Sequence, residues 1–138
     1  MPATPSAQPS WWRRWFGSRS ERSAARYLRK QGFRIIARNW TTPQGELDIV
    51  AVDEGCIVFV EVRSTAGDDT ERPASSVDIV KQKRLTRMAL QYLQAKNLLG
   101  RNARFDVLAI SWPPDKQDPV IEHIRDAFEP TDRFQLYS

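Results

Sequence analysis

The stretch from residue 45 to residue 63 constrains the fold of this chain more than any other. It reads G-E-L-D-I-V-A-V-D-E-G-C-I-V-F-V-E-V-R. Two runs rich in Val, Ile and Phe, residues 46–52 and 56–63, flank the dipeptide Glu54-Gly55, a strong turn signal. The pattern predicts a β-hairpin. Because both of its faces are apolar, we expect a central strand pair that is covered on both sides.

The length of the turn decides which residues of the hairpin face each other. With a two-residue turn at Glu54-Gly55, Asp48 lies opposite Glu61. The same register sets Glu46 opposite Arg63, so these four side chains share one end of one face. A longer turn would shift the register, and a slip of one residue would place the acids on opposite faces. The apolar residues divide accordingly: Val50, Val52, Ile57 and Phe59 continue the acidic face, and Leu47, Ile49, Ala51, Val58, Val60 and Val62 fill the other.

The predicted pairing of Asp48 with Glu61 brings two like charges together. Such a pair is unfavourable in a sheet, so a positive charge is expected beside it. Arg63 is one candidate and a divalent cation is the other. Hard cations such as Mg²⁺ take oxygen ligands, commonly from one or two carboxylates together with water and substrate phosphate.

Composition narrows the chemistry that the chain can perform. Its 138 residues, 41% hydrophobic and 28% charged, are typical of one globular domain. The single cysteine, Cys56, and the single histidine, His123, exclude an intramolecular disulfide, a multi-cysteine zinc site and a histidine cluster. Carboxylates, Lys, Arg and Tyr remain as the acids and bases. No stretch is long and apolar enough to span a membrane, and a cytoplasmic location is expected.

Positive charge is concentrated at the front of the chain. The net charge is +4. Residues 1–40 carry Glu21 as their one acid against nine cations: Arg13, Arg14, Arg19, Arg22, Arg26, Arg29, Lys30, Arg34 and Arg38. This asymmetry indicates a polyanionic partner such as nucleic acid, and solubility alone is the alternative reading.

The periodicity of apolar residues and the positions of turn and cap residues predict an α/β fold. Residues 1–19 are interpreted as a disordered arm rich in Arg and Trp, residues 20–128 as the domain and residues 129–138 as a tail. The predicted elements are a helix over residues 20–31 capped by Ser20, a strand over 33–39, the hairpin, a helix over 76–93 with a Ser75/Asp78 capping box, a strand over 104–111 and a short last strand over 120–124. The order α-β-β-β-α-β predicts a mixed central sheet flanked by helices.

Several polar residues have two interpretations. Glu21 either complements the dipole of the first helix or serves a site. Asp106 is either functional or tied to a neighbouring Arg or backbone amide, while Cys56 and His123 are interpreted as structural. The basic side of the second long helix, Lys81, Lys83, Arg84 and Arg87, either is solvated or faces a phosphate backbone.

Eight motifs are spaced along the chain. They are E-x-x-A-A-x-Y-L-x-x-x-G-F (residues 21–33), N-W (39–40), G-E-L-D-I-V (45–50), F-V-E-V-R (59–63), K-Q-x-R-L (81–85), A-L-Q-Y-L (89–93), R-F-D-V (104–107) and D-A-F (126–128). As a set they make the chain similar to the YraN-type family of bacterial proteins. More distantly, the element order and the acids of the hairpin resemble the PD-(D/E)xK nucleases. This resemblance implies a restriction-endonuclease-like fold.

The nuclease resemblance also implies a site. Asp48 and Glu61 match the two metal-binding acids, and the backbone carbonyl of Val62 matches a further ligand for Mg²⁺ or Mn²⁺. Glu21 matches an acid that many such nucleases place on the first helix. Arg63 stands where the lysine of the motif belongs. Gln82 and Lys81 lie on the helix where related nucleases place polar residues.

Two functions of different classes follow. The first is a metal-dependent nuclease acting on DNA, with Arg63 as an electrostatic clamp, since arginine does not release its proton. The second is a non-catalytic nucleic-acid-binding protein. In either case Lys81, Arg84 and Arg26 are the predicted contacts to nucleic acid, and a homodimer is left open. Thr65 and the tripeptide at residues 45–47 depart from the patterns of the two families.

Overall fold

The computed structural model describes residues 10–66 and 77–130, with side chains from residue 19 to 64 and from 77 to 130. Its elements are α1 (Ser10–Lys30), β1 (Arg34–Thr42), β2 (Gly45–Asp53), β3 (Cys56–Ala66), α2 (Ile79–Ala95), β4 (Ala103–Trp112) and β5 (Val120–Phe128). The strands form one sheet in chain order. Only β3 and β4 are parallel, because α2 crosses over between them. This mixed five-stranded sheet confirms the α/β prediction and is consistent with a restriction-endonuclease-like fold.

The predicted register of the hairpin is confirmed along most of its length. Glu54 and Gly55 have φ angles of 50° and 82°, the left-handed values that a two-residue hairpin turn requires. From this turn the pairing runs from the Asp53–Cys56 pair to the Ile49–Val60 pair. The turn therefore sets the register, as the dipeptide predicts.

Beyond Ile49 the two hairpin strands stop pairing through their backbones. Asp48 Oδ2 accepts a hydrogen bond of 2.8 Å from the backbone N–H of Val62. A side chain thus takes the place of a ladder carbonyl, and the strands separate where the acids lie. The predicted ladder pair of Asp48 with Glu61 is replaced by this contact.

The face occupied by Leu47 differs from the prediction. The regular alternation of a strand places Leu47 with Ile49, yet it packs with Trp40 in the cluster beneath α2. Trp40 is the pairing partner of Leu47 on β1, and its neighbour Asn39 has a left-handed φ of 54°. Such a residue interrupts the alternation of side chains along a strand, so both residues turn towards α2.

Two apolar clusters cover the two faces of the sheet, as predicted for a central hairpin. The cluster on the α2 side is built around Phe59, Met88, Leu93 and Phe105. The cluster on the α1 side is built around Leu28, Ile49, Val60 and Leu108. No helix in the described parts of the chain is long and apolar enough to cross a bilayer.

The first helix starts earlier than predicted. It begins at Ser10, so the assignment of Ser20 as its N-cap is wrong. Ser20 is buried inside the helix, where its hydroxyl donates to Ser64 Oγ at 2.8 Å and accepts from Trp112 Nε1 at 3.0 Å. These tertiary hydrogen bonds occupy the side chain that capping would use. Residues 1–9 of the predicted arm and residues 131–138 of the predicted tail lie outside the described residues.

The second helix starts later than predicted. Asp78 is its N-cap and accepts a hydrogen bond of 2.8 Å from the backbone N–H of Lys81. The predicted start at residue 76 is therefore wrong, and Ser75 lies outside the described residues. The Asp78 cap fixes the first turn of α2, which carries Lys81 towards the sheet. Both β1 and β5 continue beyond their predicted ends, to Thr42 and Phe128.

Candidate functional site

The acids of the hairpin meet where β2 and β3 separate. Glu61 is only 8% exposed, and Asp48 is partly buried beside it. The two carboxyl groups are within hydrogen-bonding reach of each other. Burial, and next the charge of Glu61, raise the pKa of Asp48 well above its ordinary value, against the hydrogen bond from Val62. The structure thus brings the two predicted metal-binding acids together at an electrostatic cost.

A second group of acids adjoins Asp48 from the side of α1. One carboxylate oxygen each from Glu21, Glu46 and Asp48 lies within 4.8 Å of the others. Ala24, Ala25 and Leu28 are buried on the face of α1 that packs on the sheet, which seats Glu21 at this edge. Burial raises the pKa of Glu21, a hydrogen bond from Asn39 opposes this, and the charge of Glu46 raises it further. The arrangement of these three acids is compatible with a metal site.

Glu46 is a member of this group that sequence reasoning assigned to no site. The predicted register already places it with Asp48 at one end of one face, two residues earlier on the same strand. That register sets Glu46 opposite Arg63, so its charge was assigned to the arginine and not to a metal site.

The positive charge beside Glu61 comes from α2. Lys81 Nζ lies 2.6 Å from Glu61 Oε2, with the lysine side chain nearly half exposed. The sequence offered Arg63 or a metal ion for this place, and considered Lys81 as a polar residue near the site and as a contact to nucleic acid. Arg63 is half-buried farther along β3. Where α2 crosses the sheet decides this pairing, and that position cannot be inferred from residue spacing.

An open cleft of about 460 Å³ lies over the acids. Its lining residues are Thr41, Thr42, Pro43, Gln44, Gly45, Glu46, Asp48, Glu61, Lys81, Arg84 and Leu85. The turn between β1 and β2 forms one wall and the first turns of α2 form the other. The cleft therefore combines carboxylates with the cations Lys81 and Arg84.

Some predicted site residues lie outside this lining. The Gln82 side chain donates a hydrogen bond to the Val77 carbonyl at 2.7 Å, so it links α2 to the residue that precedes its N-cap. Arg63 and Gln82 are absent from the residues that line the cleft, and Arg26 lies on the exposed side of α1. Arg84 and Lys81 are the two predicted nucleic-acid contacts that the structure brings to the cleft.

Asp106 is a second buried carboxylate and has a different environment. It accepts hydrogen bonds from Arg104 Nε at 2.9 Å and from the Asp126 backbone N–H at 3.0 Å, and it lies 2.8 Å from His123 Nε2. The other ring nitrogen of His123 lies 3.1 Å from the Tyr27 hydroxyl. This network joins α1, β4 and β5. It agrees with the interpretation of Asp106 as tied to an Arg and a backbone amide.

Comparison with known proteins places this architecture in one family. Residues 20–110 match the family described as "Uncharacterised protein family UPF0102". A UPF0102 protein of Rhodopirellula baltica is 44% identical over 115 residues, covering 81% of this chain and 69% of the relative. A UPF0102 protein of Syntrophus aciditrophicus is 45% identical over 113 residues, covering 82% and 87%.

The match with a third relative extends over nearly the whole length of that relative. The UPF0102 protein of Myxococcus xanthus is 40% identical over 117 residues, covering 85% of this chain and 91% of the relative. The matched residues 20–110 contain both hairpin acids, Glu21, Glu46 and Lys81. On this evidence the chain belongs to the UPF0102 family.

Proposed function

We propose that this protein is a phosphodiesterase that cleaves DNA with Mg²⁺ or Mn²⁺ held at the hairpin acids. One observation carries the proposal. Four carboxylates, those of Glu21, Glu46, Asp48 and Glu61, crowd the point where the sheet opens. Lys81 offsets the charge of Glu61 alone, so the other carboxylates still repel one another at short range, and a bound cation would relieve this repulsion.

The ligand chemistry fits a hard divalent cation. Asp48 and Glu61, with the backbone carbonyl of Val62, are the proposed ligands. Glu46 lines the cleft beside them, and Glu21 lies within 4.8 Å of Glu46 and Asp48 without lining the cleft. Carboxylate and carbonyl oxygens are the ligands that Mg²⁺ and Mn²⁺ prefer. When bound, the metal supplies Lewis-acid stabilisation of the phosphate and makes water more acidic.

The side chains around the acids have distinct roles in this proposal. Lys81 holds Glu61 in place and brings an ammonium group to the cleft, where it can contact a phosphate oxygen. Arg84 adds a guanidinium on the same helix for the phosphates that flank it. Arg63 acts as an electrostatic clamp. Lys81 thus brings from α2 the ammonium that β3 lacks, since Arg63 stands in the lysine position of the motif.

The balance of charge supports a nucleic-acid substrate, and DNA is the one that we propose. Acids alone would repel a phosphate backbone, so the substrate needs the metal and the cations Lys81 and Arg84 together. The alternative function is binding of nucleic acid without cleavage. The cations favour either function equally, whereas the crowded acids favour the enzyme.

Calorimetric titration of Mn²⁺ tests the metal site. We expect the unaltered protein to bind, and Asp48→Asn and Glu61→Gln each to weaken binding by more than about tenfold, because each removes one charged ligand. Glu122→Gln is the matched control, since Glu122 is exposed on β5. Equal heats from all four proteins would contradict the site.

Cleavage is tested with labelled linear, single-stranded and junction DNAs incubated with Mn²⁺. We expect product with the unaltered protein and with the Glu122→Gln control, and none with Asp48→Asn. Metal binding without cleavage of any DNA would contradict the enzyme and favour the binding protein.

A further inference from the structure

A second cleft, of about 470 Å³, is lined almost entirely by cations. It lies between α1 and β1, away from the cleft that holds the acids. Its lining residues are Arg22, Ala25, Arg26, Arg29, Lys30 and Arg38. We call it the arginine groove. Four of its cations come from one face of α1, where positions four and seven or eight residues apart align along the helix. With a rise of about 1.5 Å per residue, they extend over about 12 Å.

The cations of the arginine groove are not neutralised by acids in the described part of the chain. There, the ion pairs use Lys81, Arg104 and Arg125 instead. Arg38 does act at longer range on Glu21. Repulsion among five neighbouring cations is a cost that a bound polyanion would remove.

The dipole of α1 explains only part of this charge. Arg29 and Lys30 lie in the last turn, where cations are favourable. Arg22 and Arg26 lie one to two turns earlier, and Arg38 is on β1. Stabilisation of the helix end would not require Arg22, Arg26 and Arg38 to lie on the same concave surface.

One end of the arginine groove lies near Glu21, on whose charge Arg38 acts. Arg22 follows Glu21 in the chain, and Arg38 precedes Asn39, whose side chain hydrogen-bonds to Glu21. A ligand lying in the groove would therefore reach the three acids Glu21, Glu46 and Asp48 at one end.

The lining also indicates the form of the polyanion. Proteins that hold single strands stack the unpaired bases on aromatic side chains, and the lining contains Arg, Lys and Ala only. Guanidinium groups bind phosphate oxygens through paired hydrogen bonds. In the part of the chain that the structure describes, the groove thus offers paired hydrogen bonds to a backbone and no aromatic ring on which a base could stack.

We propose that the arginine groove binds the phosphate backbone of double-stranded nucleic acid and leads it to the acids. The binding stands on the groove alone, and only the delivery to the acids rests on the proposed function. Arg26→Gln/Arg29→Gln removes two central cations at exposed helix positions, where Gln has nearly the helix propensity of Arg. Lys96→Gln/Arg101→Gln removes the same charge from exposed positions at the far end of α2.

Fluorescence anisotropy with a labelled DNA duplex, in EDTA and over a range of salt, measures the contacts. We expect the groove variant to bind roughly tenfold or more weakly at 0.1 M salt. The slope of log K against log salt is negative, and its magnitude should decrease by about 1.8, since each lost phosphate contact removes about 0.9. The control variant should keep the slope of the unaltered protein. Thermal melting followed by circular dichroism checks that all three proteins are folded.

The outcomes separate this proposal from the proposed function. Equal slopes for the two variants would overturn the groove, whether or not DNA is cleaved. Tighter binding of a single strand than of the duplex, with the same loss in the groove variant, would overturn the duplex assignment. A reduced slope without any metal-dependent cleavage would support the groove while the enzyme fails.

Discussion

Two aspartates of one sheet, Asp48 and Asp106, have opposite environments. Asp106 is fully buried and receives hydrogen bonds from the side chain of Arg104 and from a backbone amide, with His123 in contact. Asp48 has one backbone donor and a second carboxylate, Glu61, beside it. The pKa of Asp106 is lowered and that of Asp48 is raised. The sequence separates them in part: Asp48 is predicted to lie opposite a second acid, Glu61, whereas Asp106 is the single acid of β4 and has two interpretations.

The comparison teaches how a structural acid differs from a candidate ligand. A buried charge whose partners are all present holds elements together, and removing it leaves those partners unpaired. A buried charge that lacks partners within the chain lowers the stability of the fold, and it is a candidate for binding a ligand. Three predictions test that difference, beginning with the largest expected effect.

Asp106→Asn should destabilise the fold by about 3 kcal/mol, because it removes the buried charge that Arg104, His123 and the Asp126 amide share and leaves Asp53 as the charged partner of Arg104. Urea unfolding measures the free energy. Asp118→Asn, an exposed loop change, is the control and should shift it by less than about 0.5 kcal/mol. Equal free energies of unfolding for the two variants would show that the network around Asp106 does not stabilise the fold.

Asp48→Asn should leave the free energy of unfolding unchanged or raise it, by up to about 1 kcal/mol in EDTA. The amide oxygen can still accept from the Val62 N–H, while the repulsion with Glu61 is removed. The same urea experiment at neutral pH measures the effect. A loss as large as that of Asp106→Asn would show that the two aspartates are equivalent and would break the comparison.

The smallest of the three effects is expected in the pH dependence of the Asp106 contribution. Burial acts to raise the pKa of Asp106, but hydrogen bonds from His123, Arg104 and the Asp126 amide outweigh it and the net pKa is lowered. The unfolded chain then binds the proton more readily than the folded one, so the stabilisation is present above about pH 4 and is lost below it.

The measurement is urea unfolding of the unaltered protein and Asp106→Asn from neutral to acid pH. The charged groups that face Asp106 are Arg104 on β4 and His123 on β5, with Asp53 on β2 sharing Arg104. The gap between the two proteins should narrow in acid. A gap that widens as the pH falls would show that the sign is reversed.

Local signals predicted the fold because they were strong and agreed with one another. The turn at Glu54-Gly55 set the register, and two apolar faces required cover on both sides of the hairpin. The face of Leu47 could not be predicted, because it depends on the left-handed φ of Asn39 on a neighbouring strand. The start of α1 was missed because Ser20 uses its hydroxyl for tertiary hydrogen bonds.

The sequence predicted the part of the candidate site that lies within one hairpin. Asp48 and Glu61 meet through local geometry, which residue spacing captures. Lys81 reaches Glu61 only because α2 crosses the sheet at a particular place. The arginine groove needs α1 and β1 to be packed together. Contacts between distant segments depend on packing, and a single sequence does not specify packing at that detail.

The connection between β2 and β3 also has a consequence for the order of folding. A hairpin with a two-residue turn closes within about 1–10 μs, since little chain entropy is lost. The parallel pairing of β3 with β4 begins by joining Ile57 to Ala103, so a long crossover must close first. Asp48 and Glu61 can therefore become neighbours early in folding, before α2 supplies the lysine that partly neutralises them.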